Sequence, residues 1–193
     1  TAEVYKGGRE GYGSGSSVQK KTQFGYGFRK FIRDKKNEMK GKPYSCPMIR
    51  MPEIYLSIAE AMNQLGKANV PDEFEKNAYD YLNLVHERAG LPEENSAKVP
   101  QGDALLNYLL DERAREFGQE DVRYFDMIRH KKGAEWATRP MEMLETTKVG
   151  SGFEYVVSTR DDIKYYWNEY WYLLPFPVSE INKKYGLIQN PGW

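Results

Sequence analysis

Residues 112–129, ERAREFGQEDVRYFDMIR, hold the densest set of side chains in this chain that could do chemistry. Glu112, Arg113, Glu116, Glu120, Arg123, Asp126 and Arg129 recur every three or four residues, beside Leu109, Leu110, Phe117, Phe125 and Ile128. Opposite charges at that spacing next to an apolar series describe an ion-paired seam between packed helices. A seam of this kind can serve as an acid/base site, a metal cage or a structural clamp.

A metal cage asks for ligands that the sequence is short of. The only histidines are His86 and His130, neither in a Glu-x-x-His or His-x3-His spacing, so the motif of a carboxylate-bridged di-iron bundle is missing. The single Cys46 rules out a paired-thiolate zinc site and an internal disulfide, and between Ser45 and Pro47 it reads as inert. No metal and no cofactor are expected. Nucleophilic catalysis has no Gly-x-Ser-x-Gly elbow to rest on. An acid/base pair is disfavoured by the arginines. On an ideal helix Glu112, Glu116 and Glu120 would lie within roughly 80° of one another. Each then has an Arg at near-neighbour spacing, and a close guanidinium makes a carboxyl group a poor proton donor. A glycosidase also needs its two carboxylates on opposite sides of a sugar. The clamp is the favoured reading.

Aromatic side chains offer another chemistry. They make up 14% of the chain, with 15 Tyr and 4 Trp. Sugars stack their apolar ring faces on such rings, while amide and carboxylate groups take the hydroxyls. Tyr5, Tyr12, Tyr26, Trp136, Tyr155 and Trp167 lie in segments that read as loop or hairpin, where function concentrates. They are the candidate ligand-binding residues. For Trp167, Trp171 and Tyr172 the favoured alternative is that they cover the helical core.

The elements that would position these groups follow from periodicity. Residues 7–17, GGREGYGSGSS, are loop by composition, and Phe24, Tyr26 and Phe28 then alternate as in a strand. Ile54, Tyr55, Ile58, Ala59, Met62 and Leu65 predict a first amphipathic helix, begun near Pro52 and ended by Gly66. Phe74, Ala78, Leu82, Val85 and Ala89 predict a second over about residues 73–89, stopped by Gly90 and Pro92. The two should pack as an antiparallel pair of tetratricopeptide type. A third helix is expected from a cap at Asp103 to Gly118, with Leu105, Leu106, Leu109, Leu110 and Phe117 buried. A fourth should open at Glu120 or Asp121 with Val122, Phe125 and Ile128 inward. Residues 146–162 suggest a Gly-centred hairpin, and a short helix is expected from Ser179 to Gly186.

Composition sets the outer bounds. With 28 Lys+Arg against 28 Asp+Glu in 193 residues, no net field pulls toward nucleic acid or an anionic membrane. No apolar run approaches the ~20 residues of a membrane-spanning helix.

Four segments in order resemble the SusD/RagB family. RMPEIYLSIAEA (residues 50–61) is similar to that family's R-x-x-E-x-x-L-x-x-AEA helix, and YLNLVHERAGLP (81–92) to the helix that follows it. LLDERAREFGQEDVRYFDMIRH (109–130) resembles its charged block, and YLLPFPVSEINKKYGLIQNPGW (172–193) its closing signature. His86, Asp121 and His130 depart from the pattern, where Arg, Gly and Trp are usual. The resemblance implies a mainly α fold with tetratricopeptide-like helix pairs, long irregular loops and a small β-hairpin. It implies one C-terminal domain over residues 1–193, with a loop-rich lead-in (1–49), a four-helix core (50–132), a variable insertion (133–172) and a closing tail (173–193). It further implies a non-enzymatic surface protein of the outer membrane that captures a glycan or peptide. Such a protein delivers its ligand to a TonB-dependent, SusC-like transporter, and a lipid anchor on a preceding N-terminal part holds it to the membrane. A helical protein–protein scaffold without sugar affinity is the alternative. The start at Thr1 suggests a processed or truncated product.

Overall fold

The computed structural model describes Lys30 and residues 47–160 and 166–193. These fall into two compact units, one of residues 47–129 and one of Lys30 with the described residues from His130 onward. The fold is mainly α with one small β-hairpin.

In the helical unit, α1 runs Met51–Gln64, α2 Ala78–Ala89, α3 Asp103–Glu116 and α4 Val122–Arg129. Pro52 sits in the first turn of α1, where its missing N–H costs nothing. Gly66, at φ +69°, turns the chain out of the helix. The start of α2 is set by a capping box: Asn77 accepts from the Tyr79 and Asp80 amides, and Asp80 accepts from the Asn77 amide. That box corrects the expected start near residue 73. Asp72 first builds a side-chain turn by accepting from the Phe74 and Lys76 amides, which leaves Phe74 67% exposed instead of in the α2 stripe. Gly102, not Asp103, caps α3. Its φ of +99° is glycine territory, and Asn63 of α1 holds it by donating to its carbonyl at 2.9 Å and accepting from its amide at 2.8 Å.

Leu56 and Ala59 of α1, Leu82 and Val85 of α2, and Leu105 and Leu109 of α3 form the core, closed at one end by Phe117. Burying each large side chain contributes about 1.5–3 kcal/mol. α4 departs from expectation. Phe125 is 66% exposed, Val122 and Ile128 are half-buried, and the residue that α4 buries completely is Asp126.

In the second unit, α5 spans Gly133–Ala137, β1 Met141–Val149 and β2 Gly152–Arg160. The strands pair antiparallel with Val149 opposite Gly152, across a turn with Gly150 at φ +59°. A 3₁₀ turn, Glu169–Tyr172, and α6, Val178–Ile181, complete it, so the tail helix is shorter than expected. The closing segment folds back on itself through side chains. Gln189 accepts from the Phe176 amide at 2.8 Å and donates to its carbonyl at 3.0 Å, Asn190 donates to the Leu174 carbonyl, and the Trp193 indole N–H donates to the Leu173 carbonyl at 2.8 Å. Gly192 lies against Tyr170, where a Cβ would come within 2.6 Å of the Tyr170 Cβ. The expected strand around Tyr26 lies outside the described residues.

Two outcomes follow. Asn77→Ala should cost about 1 kcal/mol in urea unfolding, the usual worth of an N-cap. Buried Tyr81 donates to Asp72 Oδ2 at 2.5 Å, which pushes the phenol up to about 12 and holds the Asp72 carboxyl below its ordinary 3.8. The phenol's share of stability is complete below its ordinary pKa of 10.0 and is lost as pH rises through about 12. The carboxylate's share is present above 3.8 and is lost as pH falls through its lowered value. Tyr81→Phe should lower the urea midpoint at pH 7 and flatten both limbs of its pH profile.

Candidate functional site

The seam begins with Asp126, whose side chain is 1% exposed. Arg113 of α3 reaches it with one nitrogen, Nε, at 3.1 and 2.9 Å from the two carboxylate oxygens. Arg129, one turn further along α4, donates to Oδ1 from Nε at 3.0 Å and from Nη2 at 2.7 Å. The same guanidinium bridges to Glu60 of α1, with Nη1 on Oε1 and Nη2 at 2.6 Å from Oε2. Its pKa is driven above the ordinary range, first by the hydrogen bond to Glu60 and then by Asp126, against the cost of burial. One buried carboxylate thus joins α3 and α4, and through Arg129 both reach α1.

A second knot lies one turn further along, where α3 ends. Arg50, the residue before α1, grips Glu120 with Nε and Nη2, both at 2.9 Å, and Glu116 with Nη1 at 2.8 Å. Its Nη2 also donates to the Glu116 carbonyl at 3.1 Å. The hydrogen bond to Glu120 leads the causes that raise the Arg50 pKa. Arg88 of α2 meets the other oxygen of Glu116 at 2.5 Å. The Arg50 and Arg113 guanidiniums both stand over the Phe117 ring, 5.0 and 5.5 Å from its centre. Arg123 donates to the Leu110 carbonyl at 2.8 Å and meets Asp111 at 3.3 Å. Glu112 is bound by Arg115 at 2.8 Å, and His86 Nε2 stands 3.5 Å away.

All seven seam residues therefore have charged or carbonyl partners, and the pairing differs from the spacing argument in an informative way. α3 ends at Glu116, so Glu120 is not on the helical face with Glu112 and Glu116. Glu116 and Glu120 bind Arg50 and Arg88, from outside the stretch. Arg50, Glu60, Arg88 and His86 complete the network. Arg50 and Glu60 stand inside the RMPEIYLSIAEA motif, which was the available signal. These carboxylates are engaged by guanidiniums within the protein, as a structural clamp requires. Among the described residues, no three His, Cys, Asp or Glu side chains gather as a metal site would require.

The aromatic candidates are dispersed. Tyr5, Tyr12 and Tyr26 lie outside the described residues. Trp136 is half-buried on α5, a helix where a loop was expected. Tyr155 stands on β2 opposite Thr146 and is 62% exposed. Phe153 and Val157 share its face, opposite Lys148 and Leu144, and are also exposed. Trp167 is half-buried in a ring cluster, 4.9 Å from Tyr172 and 5.6 Å from Trp171 between ring centres. It lies over Gly133, where any Cβ would come within 2.1 Å of the indole, and the Gly133 amide donates to the Tyr172 hydroxyl at 2.8 Å. The Trp167 Nε1 is buried and meets no acceptor among the described residues.

This arrangement of helix pair, interhelical charge network and folded-back tail has known relatives. The sequence model of the SusD family matches residues 2–193. The chain belongs to the SusD family. A SusD-like protein of Formosa agariphila is 33% identical over 94 residues, 46% of this chain and 17% of the relative. The crystal structure of a SusD-like protein from Bacteroides fragilis is similar with a TM-score of 0.56 at 30% identity, over 76% of this chain and 25% of that one. The chain thus spans a quarter or less of the length of these relatives. The SusD family is one of carbohydrate- and nutrient-binding proteins. No helix among the described residues is long and apolar enough to cross a membrane.

Removing one partner of the buried pair should cost far more than removing a surface one. Asp126→Ala leaves the Arg113 charge buried and should lower unfolding free energy by about 3–5 kcal/mol. The double variant R113M/D126L should recover most of that loss. Arg139→Ala, in an ion pair with Glu135 that is exposed on both sides, should cost about 1 kcal/mol or less. Chemical denaturation of the four proteins checks the order.

Proposed function

We propose that this chain is the C-terminal part of a surface protein that binds glycan without catalysis and hands oligosaccharide to a TonB-dependent, SusC-like transporter. Membership of the SusD family, over nearly the whole chain, is the observation that carries this reading. The charge network supports it from the chemical side. The seam carboxylates are committed to guanidiniums, which suits a scaffold better than an acid/base site.

Within this reading, the second unit supplies sugar contacts through the exposed ring of Tyr155 and through Trp136, with Tyr5, Tyr12 and Tyr26 contributing further rings. Trp167 is the weakest of the six, because its ring is spent on Gly133, Trp171 and Tyr172. The lipid anchor belongs to a preceding part of the polypeptide. The protein then sits at the cell surface, tied to the outer membrane by lipid alone.

A glycan array probed with the complete gene product should give saturable binding to one class of oligosaccharide. Tyr155→Ala, at an exposed strand position whose loss spares the core, should weaken the best array hit by about tenfold, the scale of one lost aromatic anchor. Absence of any glycan hit, with a co-purifying transporter, would instead make the chain a scaffold for protein contacts.

A further inference from the structure

The turn between α3 and α4 carries a feature that the clamp does not use. A cleft of about 470 Å³ opens there, with Phe117 on its floor and Gln119, Asp121, Arg123, Tyr124 and Phe125 around it. That volume lies in the range of about 300–1,000 Å³ that small-molecule sites occupy. Tyr124 is 44% exposed, Phe125 is 66% exposed, and their rings meet edge to face with centres 5.7 Å apart. Set edge to face at the mouth of the cleft, the two rings make a corner in which one face can stack on a ligand while the other ring flanks it. The polar groups beside them accept hydrogen bonds: the Asp121 carboxylate and the Gln119 amide oxygen. Arg123 is held by the Leu110 carbonyl and Asp111, so its charge is already matched within the protein.

The backbone adds an independent observation. Gln119 and Asp121 sit at φ +69° and +59°, the left-handed region that glycine enters most cheaply. The turn bears two strained residues with side chains where glycine would be easier, and both line the cleft. The Arg50 clamp on Glu116 and Glu120 brackets this turn and keeps its shape.

We propose that this cleft is a subsite for a neutral sugar ring, stacked on Phe125, the more exposed ring, and flanked by Tyr124, with its hydroxyls donating to Asp121 and Gln119. A ring with an apolar face and a hydroxylated edge matches aromatic rings beside acceptors. An anionic sugar would meet the Asp121 carboxylate with no unmatched cation to offset it. The proposal rests on the glycan-binding reading and adds to it a contact surface on the helical unit.

The test uses the complete gene product and a panel of neutral gluco-, manno- and galacto-oligosaccharides, with matching uronate oligosaccharides as the anionic arm. Titration calorimetry gives Kd and chemical denaturation gives stability. Tyr124→Ala and Phe125→Ala should each weaken the neutral oligosaccharide that binds best by about tenfold. Asp121→Gly is the discriminating variant: it relieves the left-handed strain, so stability should hold or rise while affinity falls at least severalfold. If the wild type binds a neutral oligosaccharide and all three variants bind it equally well, the cleft is not a sugar subsite and the general reading stands. Preference for the uronates over the neutral sugars would also overturn the assignment. If the wild type binds no member of the panel or of the wider array, the glycan-binding reading itself falls.

Discussion

The helical unit depends on one buried carboxylate. Asp126 has almost no access to water, and three nitrogens from two arginines complete its shell. Desolvating such an ion costs several kcal/mol, and the geometry must return that through charge-assisted hydrogen bonds. It does so only if α3 presents Arg113, α4 presents Asp126 and Arg129, and α1 presents Glu60 at the same point. The pair is thus a condition on register more than a source of stability. A slip of α4 by one residue would bury an apolar side chain where two guanidiniums need an acceptor. Alternative packings of these helices are penalised, which is what a mostly aliphatic core of Leu, Val and Ala cannot achieve by itself.

The second knot extends the same logic to a loop. Arg50 binds two carboxylates and one carbonyl, so four hydrogen bonds and one ring contact fix the α3–α4 turn. A planar guanidinium can do this, since its donors lie in a fixed fork, whereas an ammonium would meet the same oxygens as a point charge. The turn contains left-handed residues at Gln119 and Asp121, and such a backbone persists only where surroundings over-determine it. Arg50 from one side and Phe117 from below supply that constraint.

Local chemistry was readable in the sequence, and long-range partnership was not. The helix pair, the Gly90 stop and the hairpin turning at Gly150 follow from period and turn residues, which act within a few positions. The choice of Arg50 as partner for Glu116 and Glu120 spans 66 and 70 residues, and no spacing rule reaches that far. The stripe of α4 failed for a related reason. Hydrophobic periodicity assumes that the buried face is apolar, and here Asp126 takes the innermost place while Phe125 faces outward. Phe74 failed because the Asp72 side chain captured the amides that a longer α2 would have used. At the aromatic positions, sequence could say which rings exist but not whether each was spent on packing. Trp167 and Tyr155 look alike in composition and differ in that the first meets Gly133 and the second meets solvent.

Rigid charge networks and exposed rings have complementary roles in a binding protein. A sugar offers weak, shallow contacts, so affinity is lost quickly if the rings that meet it must first be ordered. Side chains on a strand or next to a clamped turn are ordered beforehand. The seam, which holds the strongest electrostatics in the chain, is unsuited to recognition because its groups are already matched to one another. Its contribution is indirect: by holding α1, α3 and α4 in one register, it fixes the short turn whose aromatic and acceptor groups remain turned to solvent.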